Sequence, residues 1–152
     1  METPSVLFVC HGNICRSPMA EFVMKELVRE EGIRCVIESC ATSTEELGCD
    51  MYPPAKRTLE AHSIPFTQRR ARQMVSDDYS RFDMIVVMDS QNLRNIRPFV
   101  HGDPDHKVRK LMSYAGKDTD VADPWYSGDF ERTYQDVLEG CRGILRVLRT
   151  LG

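Results

Sequence analysis

SVLFVC, residues 5–10, runs straight into HGNICRSP, residues 11–18. The first six form a short continuous apolar run, the pattern of a strand buried on both faces, and such a strand belongs at the centre of a parallel sheet. From Pro18, the residues Met19, Phe22, Val23, Leu27 and Val28 fall near helical spacing, with Lys25, Arg29 and Glu30 between them. That spacing predicts a helix from about residue 18 to 31, ended by Gly32. Strand, tight loop and helix thus follow one another without a spacer.

The same alternation continues along the chain. Residues 34–39 (RCVIES) read as a second strand, and the stretch from Ala41 to Pro54, with Gly48 and a Pro-Pro pair, reads as a loop entering a helix near 55–62. Residues 83–88 (DMIVVM) form another buried strand, and Ser90 is placed to cap a helix through about Phe99. An acidic loop with Pro and Gly, residues 118–129, precedes a last helix ending near Leu151. Apolar runs alternating with amphipathic stretches predict an α/β domain with a parallel sheet.

With 152 residues, 41% of them hydrophobic, the chain has the length and core content of one domain, residues 1–152, without repeats, linkers or low-complexity tracts. Twenty basic and 23 acidic residues leave a net charge of -3, so nothing global draws the protein to nucleic acid or to an anionic membrane. No apolar run approaches the roughly 20 residues of a membrane span, and Met1-Glu2-Thr3-Pro4 lacks the features of a signal peptide. The expected location is cytoplasmic. Six cysteines, at 10, 15, 35, 40, 49 and 141, are then expected to be mostly reduced, and the 10/15 and 35/40 spacings are wider than zinc-ligand pairs usually are.

Cys10 to Arg16 is a Cys-x5-Arg loop. On its own the pattern is weak, because six cysteines at average arginine usage produce it in roughly a quarter of such chains. Its context is more specific: a buried strand feeds the cysteine, Gly12 and Asn13 tolerate the positive φ of a tight loop, and Pro18 opens a helix. Backbone N–H groups at a helix N-terminus form an anion site that holds phosphate and also stabilises a thiolate. Arg16 offers two parallel donors to phosphoryl oxygens, a geometry lysine does not reproduce. A Walker-type nucleotide loop would need Gly-Lys-Ser/Thr, which is missing here. Cys10 alone would read as a buried strand-end cysteine; the assembled loop points to a nucleophile. Cys15 reads as a core or loop residue that is also close enough in sequence to trap an oxidised Cys10 as a disulfide.

Val9-Cys10, Gly12-Asn13-Ile14-Cys15-Arg16-Ser17-Pro18 after an N-terminal strand resembles the low-molecular-weight protein tyrosine phosphatases. The resemblance extends over nearly the whole chain, through Ser39, Ala41-Thr42-Ser43, Met88-Asp89, Asp123-Pro124-Trp125-Tyr126 and the closing helix. It implies a three-layer α/β/α fold of Rossmann-like type around a four-stranded parallel sheet. It also implies hydrolysis of phosphotyrosine in proteins and of aryl phosphates through a cysteinyl-phosphate, with no metal or other cofactor, by a monomer or weak homodimer.

In that reading Cys10 is the nucleophile, Arg16 the phosphate clamp, Ser17 a donor to the thiolate and Asp123 the general acid. His11, Gly12, Asn13, Ile14, Cys15 and Arg16 form the phosphate cradle, which Asn13 and Ser39 brace. Protonating a departing tyrosyl oxygen and later activating water suit one carboxyl group, and this supports Asp123 over a plain Asp-Pro turn. Trp125 and Tyr126 would form an aromatic wall for the phenyl ring, or pack their loop on the core. Glu45 stands where relatives often carry an aromatic residue, making that wall acidic, and His11 replaces a frequently apolar residue. Rival readings are a thioredoxin-coupled arsenate reductase, which would need a downstream cysteine pair, a phosphoarginine phosphatase, whose members tend to carry threonine at the position of Ile14, and a cysteine phosphocarrier or phosphate-binding module.

Overall fold

The computed structural model describes residues 2–151. Strand β1 (Ser5–Cys10) is buried at every position, as its unbroken apolar run requires. It lies between β2 (Val36–Ala41) and β3 (Met84–Val87), and β4 (Val108–Lys110) completes a four-stranded sheet in the order β2-β1-β3-β4, all neighbours parallel. Because side chains alternate across a strand, Val6, Phe8 and Cys10 face one core while Leu7 and Val9 face another. Helices α1 (Arg16–Glu31) and α2 (Pro53–Ala61) share the first core with the long C-terminal helix. The second core is closed by Tyr79 of α3 (Asp78–Arg81) and by Ile96 and Val100, which flank α4 (Ser90–Asn95) and end α5 (Arg97–Val100). This is the expected three-layer α/β/α arrangement.

After α6 (Pro124–Ser127), α7 (Phe130–Leu151) lies against the 3-10 turn at Leu111–Ala115. The approach needs Gly143, where an added Cβ would stand 2.1 Å from the Tyr114 carbonyl oxygen.

Boundaries differ from the sequence expectation where tertiary contacts decide them. Helix α1 begins at Arg16, two residues before Pro18, and β2 runs from 36 to 41 rather than 34 to 39. The helix expected over 90–99 is two short ones, since Pro98 lacks the N–H that would continue the first. Its cap is Asp89, not Ser90: Asp89 Oδ1 accepts from the Asn92 amide at 2.7 Å. β4 is three residues long, too short to leave a periodic signal.

From β1 the chain crosses through α1 to β2 on one side, while β3 and β4 lie on the other. The carboxyl end of β1 is therefore at the point where the sheet's connections diverge, the usual place for a ligand crevice in open α/β sheets. Cys10 is the last residue of that strand.

Candidate active site

Cys10 ends β1 and Arg16 starts α1, so five residues must turn the chain back above the sheet. Asn13 makes the turn possible by adopting φ 60°, a left-handed conformation that Asn tolerates better than most residues. Gly12 does not share it, contrary to the sequence expectation; its small size matters because an added Cβ would come within 3.3 Å of Glu46 Cγ.

A buried network fixes the turn from behind. Asn13 Oδ1 accepts from the Arg72 amide at 3.3 Å and from the Arg69 guanidinium, which sets the orientation of its amide group. Asn13 Nδ2 then donates to Ser17 Oγ at 2.8 Å and to Ser39 Oγ at 2.9 Å. Ser39 Oγ donates in turn to Glu21 Oε1 at 2.6 Å. The Ser17 hydroxyl, having accepted from Asn13, has its proton free for Cys10 Sγ at 3.0 Å, a nearer acceptor than the Cys40 carbonyl at 3.5 Å. The Asn13 amide also donates to Cys10 Sγ, at 3.3 Å. Two donors thus converge on one sulfur.

Arg16 is 3% exposed, yet both ends of its guanidinium are engaged. Nη1 donates to Asp89 Oδ2 at 2.8 Å and to the Val121 carbonyl at 2.9 Å, and Nη2 lies 3.6 Å from Asp123 Oδ2. Burial opposes its charge, but Cys10, Asp89 and Asp123 together hold it more firmly protonated than usual. Cys15 behaves in the opposite way: burial, then the negative character of Cys10 and Asp123, push its thiol up to about 12.

Asp123 caps α6, its Oδ1 accepting from the Trp125 amide at 3.0 Å, which leaves Oδ2 turned toward Arg16. Together these residues border a cleft of about 260 Å³ lined by Cys10, His11, Gly12, Ile14, Cys15, Arg16, Glu45, Glu46, Asp123, Trp125 and Tyr126. Trp125 packs on Tyr52 with ring centroids 5.0 Å apart. His11 Nε2 lies 2.8 Å from Glu45 Oε2, while the Ser43 hydroxyl donates to the His11 carbonyl at 2.8 Å, so the wall loop is tied to the start of the cradle. Chemically, the cleft offers a sulfur nucleophile, a fixed cation beside it and a carboxyl group able to move a proton.

Every residue singled out from the sequence borders this cleft or braces it. Asp89, Glu21, Arg69, Glu46 and Tyr52 were not assigned roles beforehand. Asp89 carried a faint signal, a carboxylate between a strand and a helix; the rest become neighbours only through the fold.

A sequence profile described as low molecular weight phosphotyrosine protein phosphatase matches residues 5–151. The chain belongs to that family. The low molecular weight phosphotyrosine protein phosphatase of Sus scrofa is 38% identical over 156 residues, covering 97% of each chain. The crystal structure of YfkJ from Bacillus subtilis, 32% identical, superposes with a TM-score of 0.94 over 99% of this chain and 97% of that one. A structure described as DARP, Drosophila arginine phosphatase, has the same fold at a TM-score of 0.84 and 29% identity, covering 93% of this chain and 95% of that one. The family match bears out the resemblance read from the loop motif and the α/β fold expected with it. Its members act on phosphoproteins, and no helix among the described residues is long and apolar enough to cross a membrane.

Proposed function

We propose that the protein hydrolyses phosphotyrosine in proteins, and aryl phosphates generally, through a phosphocysteine at Cys10. The observation that carries this reading is the convergence of the Ser17 hydroxyl and the Asn13 amide on Cys10 Sγ, at 3.0 and 3.3 Å, in one cleft with Arg16 and Asp123.

The thiolate of Cys10 attacks phosphorus in line with the tyrosyl oxygen. As the P–O bond breaks, Asp123 in its acid form gives that oxygen a proton, and Arg16 with the loop amides binds the equatorial oxygens. Asp123, now a carboxylate, next takes a proton from water while the water oxygen attacks phosphocysteine. Inorganic phosphate leaves, the thiolate returns, and Asp123 is protonated again. The Ser17 hydrogen bond lowers the energy of the departing sulfur anion in this second step.

Trp125 and Tyr126 present an aromatic surface to the phenyl ring. Ile14 in the cradle favours an aryl group over a guanidinium. Glu45 and Glu46 make the facing wall acidic, which disfavours substrates with acidic flanks.

Turnover of p-nitrophenyl phosphate without added metal tests the reading. Cys10→Ser is expected to lower kcat by at least about 10⁴-fold, with a 32P-labelled or mass-shifted phosphocysteine trapped on the wild type alone. Activity surviving that change, or phosphoseryl or phosphoarginyl peptides outpacing phosphotyrosyl ones, would refute it.

A further inference from the structure

Asp123 sits in a segment pinned to the core only by Val121 and Pro124, since residues 117–120 and 125–129 on either side are exposed. A general acid needs its position held to a fraction of an ångström, so something must restrain this segment. From inside, Arg16 does so, joining Asp89 to the Val121 carbonyl. The residues next to those two, Ser90 and Asp120, point outward, and a second cation meets both of them.

That cation is Lys110, at the end of β4. Its Nζ donates to Asp120 Oδ1 at 2.9 Å and to Ser90 Oγ at 3.4 Å, and Asp118 Oδ1 lies 3.7 Å away. Ser90 Oγ in turn donates to Asp120 Oδ1 at 3.4 Å. The Lys110 side chain is 15% exposed while Asp120 is 46% exposed, so the clasp is half-sheltered, with the cation on its inner side. The hydrogen bond it donates to Asp120, and to a lesser degree the charge of Asp120, hold Lys110 protonated beyond its ordinary range, although burial opposes it. Other restraints are the buried Val121 side chain, the Val121 amide donating to the Met88 carbonyl at 2.9 Å, Thr133 Oγ1 donating to the Ala122 carbonyl at 3.0 Å, and the Trp125 amide donating to Asp123 Oδ1 at 3.0 Å. None of these reaches the 118–120 end of the segment.

We propose that Lys110 is the positioning residue for Asp123: it clasps Ser90 and Asp120 from outside while Arg16 joins Asp89 and Val121 from inside, and the two clasps together set where the acid stands over Cys10. The inference rests on the phosphatase reading above. Loss of the outer clasp lets the segment lift, and the step that suffers is proton delivery to the leaving oxygen rather than attack by sulfur.

The test compares kcat/KM of wild type, Lys110→Met, Lys110→Arg, Asp120→Asn and the Lys110→Met/Asp120→Asn double variant on phenyl phosphate, a poor leaving group, and p-nitrophenyl phosphate, a good one. For Lys110→Met we expect a loss of about tenfold on phenyl phosphate against less than about threefold on p-nitrophenyl phosphate, because only the former depends heavily on the acid. Lys110→Arg restores most of the loss, Asp120→Asn reproduces it, and the double variant is no worse than either single, as expected for one shared contact. Thermal melts identify any variant that fails to fold, in which case Lys110→Arg and Asp120→Asn carry the comparison. Equal loss on both substrates, failure of arginine to rescue in a folded protein, or additive losses would overturn the proposal. An inactive wild type would instead bring down the phosphatase reading, and this inference with it.

Discussion

At the floor of the cleft Asn13 and Ser17 are wholly buried, whereas at its wall Trp125 and Tyr126 leave 55% and 87% of their surface to solvent. The floor is one connected network in which Asn13 receives from Arg69 and the Arg72 amide and passes donors on to Ser17, Ser39 and the sulfur. The wall is held by a few polar clasps, His11 to Glu45 on one side and Lys110 to Asp120 on the other. Such a division suits the chemistry. Stabilising an anion requires donors that are already in place and dry, because reorganising them would consume the stabilisation, while a wall that meets varied protein substrates gains from being open.

This contrast is open to direct attack. Among changes that separate wall from floor, the largest effect is expected on the wall side, where Asp123→Ala should slow phenyl phosphate by about 10³-fold and p-nitrophenyl phosphate far less, read as kcat/KM across a series of leaving groups. A floor change should ignore the leaving group. Asn13→Ala removes the donors to Ser17 and Ser39 and unseats the turn, and a loss of about 10²-fold on all aryl phosphates alike is expected. A leaving-group dependence for Asn13→Ala would erase the distinction between floor and wall.

Arg69→Met tests the floor one step further back. The described residues offer Arg69 no carboxylate within ion-pairing distance, and burial lowers its proton affinity, yet it donates to Asn13 Oδ1. Losing it should cost about tenfold in kcat and slow alkylation of Cys10 by iodoacetate near neutral pH, with Arg69→Lys intermediate. Unchanged alkylation would mean that the brace ends at Asn13. The smallest effect belongs to the rim: Glu45→Lys should improve KM for phosphotyrosyl peptides with acidic flanks by about threefold at low salt, leave kcat unaltered, and lose the advantage as salt is raised. A change in kcat would place Glu45 closer to the chemistry than its exposed position implies.

Legibility in the sequence followed the same division. β1 was readable to the residue, because burial on both faces demands an unbroken apolar run, and Cys10 through Pro18 was readable because a phosphate cradle compresses its parts into one short segment. Helix ends and the β2 boundary slipped by about two residues, since backbone contacts made in the fold, not a local pattern, set them. Gly12 was assigned a turn role that belongs to Asn13 alone, its own role being clearance for Glu46, a residue 34 positions away in the chain. Arg69 left no trace at all, lying in a stretch with no periodicity.

The family, the parallel α/β architecture and the loop proposed to carry the nucleophile and its arginine were legible in the sequence alone, since each is written in contiguous residues whose spacing local backbone geometry dictates. Only the tertiary structure decided which groups orient them: Asp89 on Arg16, Arg69 on Asn13, Lys110 on Asp120. Those pairs arise where separate elements meet, and a contact between distant segments needs complementary charge and reach but no shared pattern along the chain.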